Sequence, residues 1–185
     1  MILGLDVSTS ITGITLLDQD SKVIHNFAID TRKYKDFFEK AVAVEKALED
    51  LKVQILKTVG FTIWPRRIFI EQSLQTFRSG FSSAKTLSSL SRFNGIVSWL
   101  CYNIFEIKPE YIAATSARKL AGISVPKGTK GKEAAMKYVV DNVPDVLIEY
   151  SKHGNPRPEC FDKVDSWVIA KAGLVQCQKE KSSKS

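Results

Sequence analysis

The chain has 185 residues, a mass of 20.7 kDa and a formal charge of +7, with a pI near 9.3. That length suits one domain, or one domain with a tail, and 44% hydrophobic residues can bury a substantial core, which excludes a disordered chain. No run of 18 uncharged apolar residues occurs, so no membrane-spanning helix is expected, and the basic balance favours an anionic partner such as nucleic acid.

In chain order, ILGLD at 2–6 reads as a buried strand that ends on a carboxylate, Asp6. ITGITLLD at 11–18 and KVIHNFAI at 22–29 read as two more strands joined by a turn at 18–21, a meander with short loops. Between 36 and 57 the period changes. Phe37, Ala41, Val44, Leu48, Leu51 and Ile55 recur at spacings of three and four, which predicts an amphipathic helix. RIFIE at 67–71 is a short strand that again ends on an acid, Glu71. FRSGFSS at 77–83 is polar and rich in small residues, so a flexible loop is expected there.

Residues 84–104 predict a second long helix, with Gly95 in its middle suggesting a close packing contact. EYIAAT at 110–115 is the expected last strand. SARKLAG at 116–122 is a short helix capped by Ser116 and stopped by Gly122. VPKGTKGK at 125–132 is a basic loop, 133–142 a helix, and 144–160 irregular with three prolines. FDKVDSWVIAKAGLV at 161–175 is the last helix, with Trp167, Val168 and Ala172 on its buried side. The expected organisation is one domain over 1–176 with a charged, fraying tail over 177–185. The fold class is α/β around a mixed sheet with helices on both faces.

The apolar start has no basic region before it and runs straight into Asp6, which is wrong for a secretory signal. The expected location is the cytoplasm, or the host cytoplasm if the gene is viral or from a phage. Cys101, Cys160 and Cys177 are an odd set without a CxxC spacing, and His25 and His153 are the sole imidazoles, so a structural zinc site is not expected. The cysteines read as reduced packing residues.

The acids carry the chemistry. Asp6 and Glu71 stand at strand ends, the edge where open α/β sheets form their sites. If those strands are neighbours, the two carboxylates converge. Asp162 and Asp165 are three apart on one helix face, and a helix start favours negative charge. Four close carboxylates repel one another and call for a cation. With almost no histidine at hand, an all-oxygen set suits Mg²⁺ or Mn²⁺. Two such ions about 3.5–4 Å apart could hold both the attacking water and the leaving oxygen of a phosphodiester. Taken singly, each acid also fits a structural role: Asp6 capping a turn, Glu71 as a loop acid, Asp162 and Asp165 as a helix cap.

The blocks ILGLDVSTSITGITLLD, IFIEQ and FDKVDSWVIAKA, in that order and spacing, resemble the RuvC-type Holliday-junction resolvases of the ribonuclease H-like superfamily, its phage and viral members most of all. The likeness spans about residues 1–176. One departure lies in the last block, where Ser166-Trp167 stands in place of the alanine and small apolar residues that usually follow the second aspartate in the family. The resemblance implies a ribonuclease H-like fold and a Mg²⁺-dependent endonuclease that cuts four-way DNA junctions in pairs as a homodimer. It implies Asp6, Glu71, Asp162 and Asp165 as catalytic metal ligands, and Lys132 and Arg118 as counterparts of the family's basic residues, with Lys132 at the scissile phosphate. Lys127 and Lys130 join Arg118 and Lys132 as expected DNA contacts, or all the lysines form one solvated loop. Phe77 and Arg78 on the loop are further expected DNA contacts, and for the junction wedge Phe77 and Phe81 are candidates beside Leu74. The helix at 84–104 is the implied dimer contact, with Leu90 and Val97 as trial positions.

Three rival readings remain at this point. One is a broader flap, branched-DNA or RNA–DNA hybrid nuclease on the same scaffold. Another is a junction-binding protein without catalysis. The third is an ATPase of the acetate and sugar kinase type, since DVSTSITG resembles that phosphate loop, although this chain is short and has no clear second glycine-rich loop.

Overall fold

The structure is a computed structural model that describes residues 1–59, 64–72 and 84–183. Strands β1 (Ile2–Asp6), β2 (Ile11–Leu17) and β3 (Val23–Asp30) precede helix α1 (Phe37–Val59). Then come β4 (Arg67–Glu71), α2 (Ala84–Phe105), β5 (Glu110–Ile112), α3 (Ala114–Leu120), α4 (Gly131–Asn142) and α5 (Pro158–Ser182). The strands form one mixed sheet in the order β3-β2-β1-β4-β5. The first three make the antiparallel meander, while β4 and β5 run parallel to β1.

β1 is central and buried along its whole length, which four apolar residues ahead of Asp6 allow when both faces are covered. The period of two sorts its residues. Leu3 and Leu5, with Ile14 and Leu16 of β2 and Ile68 and Ile70 of β4, pack under α1 and α2. The alternate residues Ile2, Leu17 and Phe69 face the core built on α3, α4 and α5. Asp6 and Glu71 belong to this second set by the same alternation.

Several boundaries differ from the sequence reading. The last strand is confined to Glu110–Ile112, because Ala113 is the extended residue that starts a helix at Ala114. Ser116 is therefore inside α3 rather than its cap, whereas Gly122, with φ +81°, does stop the helix in the left-handed region. The basic loop ends at Lys130, and Lys132 lies in the first turn of α4. The irregular stretch ends at Arg157. Pro158 occupies the first turn of α5, where a missing N–H costs nothing, so the third proline of that stretch opens the helix instead of preventing it. Asp162 and Asp165 consequently lie beyond the first turn, not at the helix start.

α5 is also buried on more than one side. Every residue from Val164 to Ala170 is covered, because the helix is sandwiched between the sheet and α3 and α4. Residues 177–182, expected as a tail, are the last turns of α5. There Arg67 donates to Glu180 at 2.6 Å and lies 3.2 Å from the sulfur of Cys177. Cys101 and Cys160 are buried and Cys177 half-buried, all three as free thiols. No helix among the described residues is long and apolar enough to cross a membrane.

Candidate active site

Because β1 and β4 run parallel with Leu5 opposite Ile70, one further step sets Asp6 beside Glu71. The condition for the two carboxylates to converge is met. α5 crosses over them on the same face. A Cβ on Gly13 would overlap the carbonyl of Asp162, and one on Gly4 would overlap the backbone of Ala170. These two glycines let the helix lie directly on β2 and β1, which lowers Asp162 and Asp165 toward the strand ends. Asp6 and Asp165 are 8% and 4% exposed, while Glu71 and Asp162 are half-buried.

The charges feel one another. Burial, then Glu71 and Asp165, hold the Asp6 carboxyl well above the usual carboxylate range. Burial and the Asp165 carboxylate push Glu71 up to about 7, opposed by Lys132 and Arg118. Burial pushes Asp162 up to about 6, against the pull of Lys132. The first turn of α4 brings Lys132 into this cluster, with Nζ 2.8 Å from Oδ2 of Asp165. Burial disfavours its ammonium, but Asp165 and Asp6 outweigh that and hold it protonated. Asp165 Oδ2 is buried, with the Lys132 ammonium as its ionic neighbour and no further hydrogen-bond partner among the described residues.

Arg118, on α3, packs against Gly131 and acts on Glu71. Lys127 and Lys130 are exposed on the loop before α4, and Lys130 pairs with Glu133 at 3.7 Å. Leu74, Phe77, Arg78 and Phe81 lie outside the described residues, as does the loop at 77–83. Val97 is fully buried against α1 and the sheet, so it cannot serve as an interface position, and Leu90 is half-buried. Among the described residues a Cβ at Gly95 would meet nothing within 4 Å, on the outward side of α2 that also carries Trp99 and Tyr102.

The sequence reading passed over Arg32. Its charge reaches Asp162 while it forms an ion pair with Asp30. The signal was available in strand parity. In a meander the third strand points the same way as the first, so the residues after β3 emerge at the edge that holds Asp6.

As a test for a metal, the donor chemistry fits. The site offers carboxylate oxygens only, three of them unfavourably ionised by burial and by each other, and one buried oxygen with no partner beyond Lys132 among the described residues. The carboxylates are gathered but not closed to ligand spacing: among the described residues no three acids, histidines or cysteines form a ready cage. A cavity at the other end of β1, lined by Met1, Ile2, Asp18, Trp64, Arg67 and Leu174, is remote from the acids.

No protein-family model matches the sequence, and no curated protein does. Solved structures do match. A complex of RuvC from T. thermophilus with a Holliday junction substrate superimposes with a TM-score of 0.63 at 10% identity, over 96% of this chain and 94% of that one. A second Thermus thermophilus RuvC structure gives 0.61 at 13% identity, over 97% and 96%. The yeast mitochondrial Holliday junction resolvase gives 0.56 at 17% identity, over 98% and 80%. The protein has the RuvC-type, ribonuclease H-like fold over essentially its whole length.

Proposed function

From this RuvC-type fold with an acidic centre, we propose that the protein is a Mg²⁺-dependent endonuclease that resolves four-way DNA junctions as a homodimer, with Mn²⁺ able to replace Mg²⁺. The observation that carries the reading is the convergence of four carboxylates from three elements around a protonated lysine. The neighbours that share the fold are, by name, resolvases, one of them bound to junction DNA.

In this reading Asp6, Glu71, Asp162 and Asp165 hold one or two divalent ions. When bound, such ions supply the charge that offsets the acids, activate water and stabilise the leaving oxygen. The chain's own residues do the rest. Burial keeps Asp6 and Asp165 in low-dielectric surroundings, where charge acts strongly. Lys132 presents a permanent cation where a scissile phosphate gains negative charge. Arg118, Lys127 and Lys130 flank it along α3 and the following loop and suit phosphate contacts, which position a duplex without reading sequence. Phe77 and Arg78 follow Glu71 in the chain and complete the proposed DNA contacts. The outward stripe of α2 is the proposed dimer surface. Trp99 is 59% exposed there, next to Tyr102, and the bare backbone at Gly95 permits close approach. A two-fold dimer matches a two-fold junction.

A cleavage panel with Mg²⁺ tests this, using a synthetic four-way junction, a flap, a splayed arm and an RNA–DNA hybrid. The wild type should cut the junction in preference. Asp6→Asn should lose cleavage by at least about 10³-fold, while binding the junction within about threefold of wild type, because backbone charge carries affinity. Equal cutting of flaps or hybrids would make it a broader nuclease. Binding without cleavage by the wild type would make it a junction-binding protein. Normal cleavage by Asp6→Asn would overturn the assignment of the acids.

A further inference from the structure

Ser166, where the last sequence block departs from the family's usual alanine, sits in a closed ring of hydrogen bonds that is buried at Thr15 and Ser166 and half-buried at Asn26. Asn26 of β3 donates from Nδ2 to Thr15 Oγ1 at 2.7 Å and to the carbonyl of Lys163 at 3.0 Å. Ser166 donates from Oγ to the same Lys163 carbonyl at 2.8 Å. Thr15 Oγ1 and Ser166 Oγ are 2.8 Å apart. Since the Ser166 proton is used on Lys163, the Thr15 hydroxyl must donate to Ser166. Each hydroxyl then gives one bond and accepts one, and both Asn26 amide protons are spent. Thr15 and Ser166 are fully buried.

The ring's place in the fold gives it a consequence. Lys163 lies between Asp162 and Asp165, so the ring grips the very turn that carries both acids. It ties that turn to β2 through Thr15 and to β3 through Asn26. Two residues from Thr15 on the same strand face, Gly13 receives the Asp162 carbonyl at a distance no Cβ would tolerate. Gly13 and Gly4 fix how deep α5 sits, but small residues do not fix its roll about its own axis. Directed hydrogen bonds do. One residue of helical roll is 100°, enough to turn Asp162 and Asp165 away from Asp6 and Glu71.

We propose that Asn26, Thr15 and Ser166 are positioning residues: their ring sets the roll of α5 and thereby brings Asp162 and Asp165 to the strand-end acids in metal-binding order. The inference rests on the nuclease reading of the four acids and adds to it three residues with no carboxylate of their own. Residues that orient metal ligands in this way typically change affinity 10–100-fold when lost.

The test is calorimetric titration of the DNA-free protein with Mn²⁺ alone, with thermal melts of the same metal-free samples. Thr15→Val keeps the shape and removes the hydroxyl, so it should weaken Mn²⁺ binding about tenfold or more. Thr15→Ser keeps the hydroxyl and removes a buried methyl, so it should melt lower than wild type yet bind Mn²⁺ within about twofold of it, which rescues the ring. Ser166→Ala should weaken Mn²⁺ binding as Thr15→Val does. Asp6→Asn separates the two claims. If Mn²⁺ uptake is absent from the wild type, or survives Asp6→Asn, the acid cluster is not a metal site and the positioning role falls with it. If uptake needs Asp6 but Thr15→Val matches wild type, the positioning role alone is overturned. If Thr15→Val and Thr15→Ser lose affinity equally, in step with their melting temperatures, the ring is only structural and the inference is likewise overturned.

Discussion

The two faces of one sheet do different work with the same strands. Toward α1 and α2, the strands present Leu3, Leu5, Ile14, Leu16, Ile68 and Ile70, a layer that is apolar but for the buried Thr12. Toward α5, the alternate positions are Gly4, Asp6, Gly13, Thr15 and Glu71, with Phe69 beside Gly4 and Ile2 and Leu17 at the far end. The first face is held by the area it removes from water. The second gives up apolar area for closeness and direction: glycines that admit a helix backbone, a hydroxyl that aims it, and carboxylates whose burial costs stability. A fold that stores its stability on one face can carry strain on the other.

This contrast can be broken by substitution. Leu5→Ala, on the apolar face, should cost about 2–5 kcal/mol in urea denaturation while leaving the Mn²⁺ affinity of the folded fraction unchanged. Gly13→Ala, on the other face, should cost about 1–3 kcal/mol by overpacking, and here metal affinity and cleavage should fall with it, since the new methyl pushes on the Asp162 carbonyl. If Leu5→Ala damaged the site as much as Gly13→Ala did, the division of labour between the faces would be wrong.

A smaller effect sharpens the comparison through pH. Glu71 ionises at about 7 in the folded protein against an ordinary value of 4.5, so the metal-free fold holds a proton that the unfolded chain releases. Stability from this group is fully present below pH 4.5 and is lost as pH rises to about 7. Asp162 adds to the same trend up to about 6. Lys132 stays charged throughout and contributes no slope. Melting of the metal-free protein should therefore fall between pH 5 and 8, by about 2–4 °C for each 1 kcal/mol lost. Glu71→Gln should flatten that slope, and a melting point that rose with pH would contradict it.

The sequence carried much of this face, and its silence elsewhere has physical causes. Asp6 and Glu71 were legible because each ends a short apolar run, and strand order then needed only one adjacency. Asp162 and Asp165 were legible as a shared helix face, but the helix start was misplaced, since Pro158 is indistinguishable by type from the two prolines that precede it in the loop. The outward side of α2 was not legible. Its apolar residues surround the helix, and only the packing of Val97 inward leaves Trp99 and Tyr102 outside. The ring of Asn26, Thr15 and Ser166 was beyond reach because its members are 11 and 151 residues apart and each is an ordinary strand or helix residue by itself.

The most direct test of the proposed activity is incision of a supercoiled plasmid that extrudes a cruciform, followed in time with Mg²⁺ and the wild-type protein. Two equivalent acid centres acting within one bound complex predict linear plasmid as an early product, without prior accumulation of nicked circles. Nicked circles alone, or an intact plasmid under conditions where the junction is bound, would contradict the account.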